Sequence, residues 1–421
     1  MTEEIKNRLE QIWAGKVPIG YYTSGGYVIP SDWKLVPLQN CFSRLTRKNE
    51  ENNENVLTIS AQQGLVNQME YYNNSYASED KRGYSLLYKG DYSYNKSYSS
   101  DYPYGAIKRL EKYDKGVVSP LYMCFEPKKS TNSDFYIQYF EAGIFNREIY
   151  KIAQEGARNH GLLNVAVDDF FVSSILYPPI PEQKKIAEIL MQCDKVITLK
   201  KERIEEEKKR KKWLMKKLLV PDIGTKYGTQ SAQWRKVSID EIGAVVTGGT
   251  PPTANQQYYK NGIYPWVTPS DISSKYISET ERKLSEKGLS VARKLPANTL
   301  LVTCIASIGK NAILRSEGSC NQQINAVIMN SGFDTEFIYY AIAYKKRNFL
   351  RLAGITATPI INARVFGKMR FDVPTYDVQI AIARVLSKQD DNIELLEQEV
   401  NQWQQKKKAL TQLLLTGIVR V

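Results

Sequence analysis

Few arrangements of residues in this 421-residue chain could carry out chemistry. Its one histidine, His160, excludes multi-histidine metal sites and leaves little room for a Ser/His/Asp relay. The five cysteines (Cys41, Cys124, Cys193, Cys304, Cys320) are scattered, with no Cys-x-x-Cys, so neither a zinc site nor a disulfide framework is expected. "ASIGKN" around Gly309-Lys310 lacks the earlier glycine of a phosphate loop and ends in Asn. "YPPI" is not the Asn-Pro-Pro-Tyr type of motif of an aminomethylase. One acidic pattern remains, Asp271 followed by Glu281-x-Lys283, which could hold Mg²⁺ in a nuclease. It lies in "SETERKLSEK", which reads as an exposed helix, and short acid-x-Lys patterns are common in such segments. No cofactor and no metal are expected.

The charge balance points to a partner instead. Lys and Arg number 58 against 45 Asp and Glu, a formal net charge of +13. An excess of this size makes nucleic acid the leading partner, although a merely basic protein fits equally well. DNA reading needs polar forks and cations on loops. In the first half, Gln62 and Gln63 carry amides suited to adenine, and the tyrosine-rich "YSLLYKGDYSYNKSYSSDYPYG" offers Tyr94, Asn95, Lys96 and Tyr104. That stretch reads equally well as a strand hairpin with half-exposed tyrosines. In the second half, "TGGTPPTANQQYY" is a loop by its Gly and Pro content and contributes Thr250. Thr268, Ser270, Lys310, Gln322 and Gln323 complete the candidates. "CNQQINAVI" fits a buried turn as well as it fits a base contact, because amides serve both roles.

What would position these residues is a repeat. "PPIPEQKKIAEIL" from Pro178 is echoed by "PTYDVQIAIARVL" from Pro374, matching Gln183 with Gln379 and Leu190 with Leu386. The offset is a multiple of seven, so both copies share one heptad phase. Leu190, Ile197, Ile204 and Leu218 fall at a-type positions of the first copy. Leu386, Ile393, Val400 and Leu414 do so in the second, with Leu396, Trp403 and Leu410 at d. Apolar a and d positions over several heptads predict paired coiled-coil helices, the C-terminal leucines and Trp403 packing on Ile197, Ile204 and Leu218. Pro181 suits a first turn, Asp377 serves the second start, Pro221 and Gly224 stop the first helix and Gly417 the second. Each helix is then about 38 residues, about 57 Å long. Glu205, Glu206 and Glu207 stand four residues before Lys209, Arg210 and Lys211, which predicts a salt-bridged face.

The echo extends into the rest of the chain, "DWKLVPL" with "QWRKVSI" and "EGARNHGLLN" with "AGITATPIIN". The predicted organisation is a lead-in with a short helix on Ile5, Leu9 and Ile12 (1–31), a globular domain (32–180), a long helix (181–220), a linker and second globular domain (221–373), and a second long helix with its tail (374–421). The domains read as α+β, with strands in "NVLTISAQQG", "GVVSPLYMCFEP" and "NTLLVTCIASIG" and a helix in "DTEFIYYAIAYKKRNFLRLAG" closed by Gly354. No apolar run is long enough for a membrane span, and "MTEEIKNRLEQIW" is too charged for a signal peptide, so a cytoplasmic location is expected.

The repeated Pro-x-x-x-x-Gln-x-x-Ile-Ala entry, "WVTPSDI", "CNQQINAVI" and the tail "LLLTGIVRV" resemble the specificity subunit of type I restriction–modification systems over almost the whole chain. The resemblance implies two target recognition domains held apart by an antiparallel pair of long helices, each domain reading half of a bipartite double-stranded DNA site. It also implies partners: two methyltransferase subunits docked on the helices, and restriction subunits in the full complex. The subunit itself would catalyse nothing. Two alternatives remain on sequence alone, a Mg²⁺-dependent nuclease on Asp271, Glu281 and Lys283, and a coiled-coil scaffold without DNA contact.

Overall fold

A computed structural model of the chain describes residues 2–60, 62–73, 78, 80–99, 102–153, 162–221, 233–352 and 360–421. His160, Gly224, Gly354 and most of the "EGARNHGLLN" and "AGITATPIIN" echo lie outside them. The chain divides into two compact units, Met1–Lys200 with Glu399–Val421, and Lys201–Gln398. The boundary falls within each long helix, so each unit holds one globular domain, the start of one helix and the end of the other.

Both domains open and close on the same device. In the first, Lys34–Pro37 pairs antiparallel with Ser174–Tyr177; in the second, Arg235–Ser238 pairs with Arg370–Val373. A short helix follows each opening strand, Leu38–Cys41 and Ile239–Ile242. The closing strand then runs into a long helix, Ile180–Leu218 or Tyr376–Leu415. These lengths agree with the heptad expectation, and Pro181 and Asp377 sit in the first turns.

The Pro-x-x-x-x-Gln spacing has a definite physical job. Gln183 is fully buried, and its amide N–H donates to the Pro178 carbonyl at 2.8 Å while its oxygen accepts the Asn132 N–H at 3.3 Å. Gln379, likewise buried, donates to the Pro374 carbonyl at 2.9 Å and accepts the Asp334 N–H at 2.9 Å. Asn132 and Asp334 are themselves side-chain caps, of the helices Ser133–Glu141 and Thr335–Tyr344. One amide thus ties the first turn of a long helix to the cap of a domain helix, satisfying buried groups on both.

Within each unit the two helix segments run antiparallel. In the first, Lys407 meets Asp194 at 2.5 Å and Lys200 meets Glu399 at 2.6 Å. In the second, Lys211 meets Asp390 at 2.5 Å and Lys208 meets Glu397 at 2.9 Å. The buried Gln389 amide there donates to the Glu207 carboxylate at 2.7 Å, so two polar d positions satisfy each other. Leu190, Ile197, Ile204, Leu386, Ile393, Leu396, Val400 and Leu414 are buried, while Leu218, Trp403 and Leu410 are partly so. Two expectations need correction. Leu410 and Leu414 pack with Ile186 and Leu190 in the first unit, and Leu218 packs with Ile382 and Leu386 in the second. An antiparallel pair sets the end of one helix against the start of the other, so Leu414 does not meet Leu218. The charged face also differs: Lys208 and Arg210 pair with Glu205 and Glu207 at i,i+3, and Lys208 and Lys211 reach across to the partner helix.

In the first unit the tail folds back on the lead-in. The lead-in helix Glu3–Trp13 turns Leu9 inward as expected, and the Tyr21 hydroxyl donates to the Gly417 carbonyl at 2.7 Å. Gly417 has φ +72°, and a Cβ there would lie 2.6 Å from Pro30. Arg420 pairs with Asp32 and with buried Glu182, which also accepts the Trp33 indole N–H at 2.8 Å.

The first domain is built on a four-stranded antiparallel sheet in the order Phe42–Arg44, Met123–Pro127, Tyr92–Asn95, Ala106–Arg109, over a mainly aromatic core of Phe42, Tyr92, Phe125, Tyr136, Phe140 and Phe170. The second has a five-stranded sheet in the order Gly243–Thr247, Ile324–Met329, Leu300–Thr303, Asn311–Leu314, Tyr276–Ile277. The expected strands are present and the class is α+β. The single helix expected from Asp334 is two, Thr335–Tyr344 and Lys346–Leu352. "SETERKLSEK" is not a helix: it is loop and the strand Lys283–Leu284, with only Glu286–Val291 helical.

Two measurements check the junctions. Gln379→Ala leaves a buried carbonyl and N–H without their partner and should lower stability by about 1–3 kcal/mol in urea unfolding; an unchanged midpoint would remove the amide's role. In the second unit, burial raises the Glu336 carboxyl, but hydrogen bonds from Tyr276, Ser387 and Lys275 outweigh it and hold it below the usual range. A depressed carboxyl stabilises above its unfolded value, about 4.3, and that contribution fades as pH falls through the folded value. The stability gap between wild type and Glu336→Gln should therefore be largest at neutral pH and shrink below about pH 4.3.

Candidate nucleic-acid interface

In the second domain, segments far apart in sequence meet at one edge. Trp266-Val267 runs parallel to Ser319-Cys320, and the Asn321 N–H donates to the Val267 carbonyl at 2.9 Å. The glycine loop lies across this pair: the Gly249 N–H donates to the Cys320 carbonyl at 2.9 Å and the Trp266 indole donates to the Gly249 carbonyl at 3.0 Å. Gly248 is required by contact, since a Cβ there would lie 2.2 Å from the Asn321 carbonyl oxygen. The loop after Thr303 joins from another side, its Cys304 N–H donating to the Gln323 carbonyl at 2.8 Å.

This packing brings Thr250 and Gln322 together, with the Thr250 hydroxyl donating to the Gln322 amide oxygen at 2.6 Å. Both are exposed, and the NH₂ of Gln322 is left to face outward as a donor. Lys310 is exposed on the adjoining loop, anchored by its N–H on the Thr303 hydroxyl at 3.0 Å. Three candidates do internal work instead. Gln323 is half-buried, and its N–H and amide oxygen both bond Asn321. Thr268 and Ser270 hydroxyls lie 2.8 Å apart, and Thr268 donates its hydroxyl and N–H to the Asp271 carboxylate at 2.7 and 2.8 Å. Short polar side chains favour such local turns over outward contacts.

The acidic pattern is occupied in the same way. Asp271 closes its turn and also accepts the Glu281 N–H at 3.3 Å, while Lys283 pairs with Glu279. Among the described residues no group of three or more His, Cys, Asp or Glu side chains could hold a metal ion. Burial pushes the thiols of Cys124 and Cys304 up to about 11 and that of Cys320 to about 12, so these cysteines act as core residues.

In the first domain, Gln62 and Gln63 are exposed at the tip of the hairpin Leu57–Ser60/Gly64–Asn67. Gln62 and half-buried Tyr104 line one cleft of about 480 Å³, joined by Lys408 of the second long helix. Tyr94 is a core residue at the floor of this cleft. It is fully buried, stacks on Phe170 at 5.2 Å, donates its hydroxyl to the Tyr104 carbonyl at 2.9 Å, and burial raises that hydroxyl far above its usual range. The tyrosine-rich stretch is not one hairpin: Ser85–Tyr88 pairs with Lys115–Val118, and Tyr92–Asn95 lies between Met123–Pro127 and Ala106–Arg109, with Tyr92 and Tyr94 in the core. Asn95 accepts the Ser97 N–H at 3.0 Å and shapes the turn that follows. Lys96, half-buried, lies in a different cleft with Arg44 and Lys48. Sequence reasoning missed those two, because Arg-Leu-Thr-Arg-Lys carries no polar–apolar alternation that would mark them.

The comparisons with known proteins bear on this arrangement. The family model described as "Type I restriction modification DNA specificity domain" matches residues 30–208 and again 232–405. The chain belongs to this family. The two matches each take in a globular domain and most of the long helix after it. The chain is 25% identical over 332 residues to the type I restriction enzyme MjaVIII specificity subunit of Methanocaldococcus jannaschii, covering 73% of this chain and 75% of that one. To the MjaIX specificity subunit of the same organism it is 32% identical over 177 residues, 40% of this chain and 41% of that relative's length. To the EcoR124I/EcoR124II specificity subunit of Escherichia coli it is 26% identical over 166 residues, 38% of this chain and 41% of that one. Among solved structures, a type I restriction-modification S subunit from M. genitalium superposes with TM-score 0.56 at 13% identity, covering 93% of this chain and 97% of its own. A chain solved in work on complex assembly and conformational transition of the type I R-M system superposes with TM-score 0.60 at 12% identity, covering 93% and 100%. These likenesses establish the fold.

Two substitutions separate reading from packing. Gln322→Ala should alter preference at one half of the DNA target by about 1–3 kcal/mol and leave the other half untouched, read by competition with single-base variants. Tyr94→Phe should lower stability by about 1 kcal/mol and leave DNA preference unchanged; a change in preference would return Tyr94 to the interface.

Proposed function

We propose that this chain is the sequence-reading subunit of a type I restriction–modification complex. Its two domains recognise the two halves of a bipartite double-stranded DNA target. The helix pair serves as the platform for two methyltransferase subunits, and restriction subunits join in the full complex. The chain supplies no catalytic group of its own, and it works in the cytoplasm; no described helix is long and apolar enough to cross a membrane. The observation that carries this reading is a repeated junction with unrepeated edges. The strand pairs, the buried glutamines and the helices are common to both halves, whereas the residues presented at the domain edges lie on different strands and loops. A reader of an asymmetric two-part target needs that combination, because affinity for backbone can be shared but base readout cannot.

Gln62, Gln63, Lys96 and Tyr104 in the first domain, and Thr250, Lys310 and Gln322 in the second, are the candidates most available for DNA. Genome-wide methylated-base mapping with and without this chain tests the proposal. Expected is loss of methylation at one bipartite motif; unchanged methylation would contradict it. Purified chain with DNA and Mg²⁺ should neither cut nor modify.

The long helices are proposed to set the spacing between half-sites. One heptad inserted into each, after Glu205 and after Asn401, keeps the a/d seam and adds about 10.5 Å, near three base pairs of DNA. Complexes carrying both insertions should select a longer spacer from a random DNA pool, or lose specific binding while salt-sensitive non-specific binding persists. Selection of the native spacing by a folded, assembled variant would contradict a spacing role.

A further inference from the structure

We infer that the extended segment Arg44–Lys48 of the first domain, with Lys96 beside it, is a track for the phosphodiester backbone of the bound DNA. The inference rests on the DNA-reading role proposed above and assigns part of that contact to residues outside the base-reading edge.

Along this segment Arg44, Thr46 and Lys48 are exposed, Leu45 and Asn49 buried, and Arg47 half-buried. In extended chain, alternate side chains share a face, so Arg44, Thr46 and Lys48 form one row. Leu45 and Asn49 fix the row from behind, Leu45 in the core with Leu57 and Leu87, and Asn49 through bonds to the Asn53 and Lys81 carbonyls. The row and Lys96 line a cleft of about 230 Å³. Three cations face it, Ser85, Thr46 and Tyr122 add hydroxyls, and its lining contains no carboxylate.

Neighbouring cations are treated differently. Arg47, on the opposite side of the strand, is held by Asp91 and Glu126; Arg109 is held by Glu111 and Asp134; Lys108 is held by Glu141. Among the described residues, neither Arg44 nor Lys96 has an ion pair, and Lys48 donates only to the Gly83 carbonyl at 3.0 Å. Cations gathered around one cleft without a counter-charge repel one another and favour a polyanion. Hydroxyl donors in the same cleft match the mixed donor set that phosphate oxygens accept. Phosphate oxygens accept from all of these donors whatever the sequence, so contacts of this kind contribute to affinity and register rather than to sequence.

The test uses the chain assembled with its methyltransferase subunits. Binding to target and non-target duplexes is measured against salt for wild type and for Arg44→Gln/Lys48→Gln/Lys96→Gln. The Gln replacements keep each side chain polar, and unfolding midpoints verify that the fold is intact. Expected is a salt slope flatter by about 2–3, with the ratio of target to non-target affinity unchanged within about twofold. An unchanged slope overturns the track. So does a collapsed affinity ratio at constant slope, because it would make these residues base readers. If the wild-type complex binds no duplex at all, the DNA-reading role itself fails and the track falls with it.

Discussion

The structure depends on one buried hydrogen-bond arrangement made twice. A glutamine five residues after a proline caps the strand-to-helix turn and simultaneously holds the cap of a domain helix. Removing either contact would strand buried backbone groups in an apolar setting, so domain and helix cannot tilt freely at this point. Everything between the two junctions of a domain can then vary, provided that the opening and closing strands still pair. That is the physical licence for two halves that share a scaffold and almost nothing else.

The helix segments add a second level of constraint. Apolar a positions supply burial, but antiparallel register in each unit is fixed by polar contacts: Asp194 with Lys407 in one, Glu207 with Gln389 and Asp390 with Lys211 in the other. Polar groups at a seam contribute little stability and penalise slipped registers, which would leave a charge facing leucine. In the second unit this seam is also linked to the domain. Lys275 bonds Ser387 on the long helix and Glu336 on the domain helix, while Tyr340 bonds Asp390, the partner of Lys211.

Much of this was legible in the sequence, and for identifiable reasons. Heptad phase and terminal Pro and Gly are local signals; they predict helices over 181–220 and from 374 on, and the structure has them at Ile180–Leu218 and Tyr376–Leu415. The strands were legible as β-branched runs. Which leucines meet is not a local signal: it follows from the antiparallel direction, which sets Leu414 with Ile186 and Leu190. At the interface, residue type alone could not separate an amide that faces outward from one that closes a turn. Gln322 and Gln323 are adjacent and chemically identical, yet one is exposed beside Thr250 and the other is tied to Asn321. Tyr94 failed because a tyrosine-rich strand alternates, and which parity faces the core depends on pairing with Met123 across the sheet. Arg44 and Lys48 were hidden because their row becomes a cleft only when Lys96, in the loop after Tyr92–Asn95, comes beside it.

The central claim is that one scaffold, used twice, carries interchangeable readers. The most direct measurement replaces residues 235–373 with a second copy of residues 34–177, joining at the paired strands and keeping both long helices. DNA sites are then selected from a random pool by the assembled complex. Expected is a site built from one half-sequence used twice, with the other half-sequence lost. A folded, assembled chimera that still selects the original asymmetric site would contradict the claim.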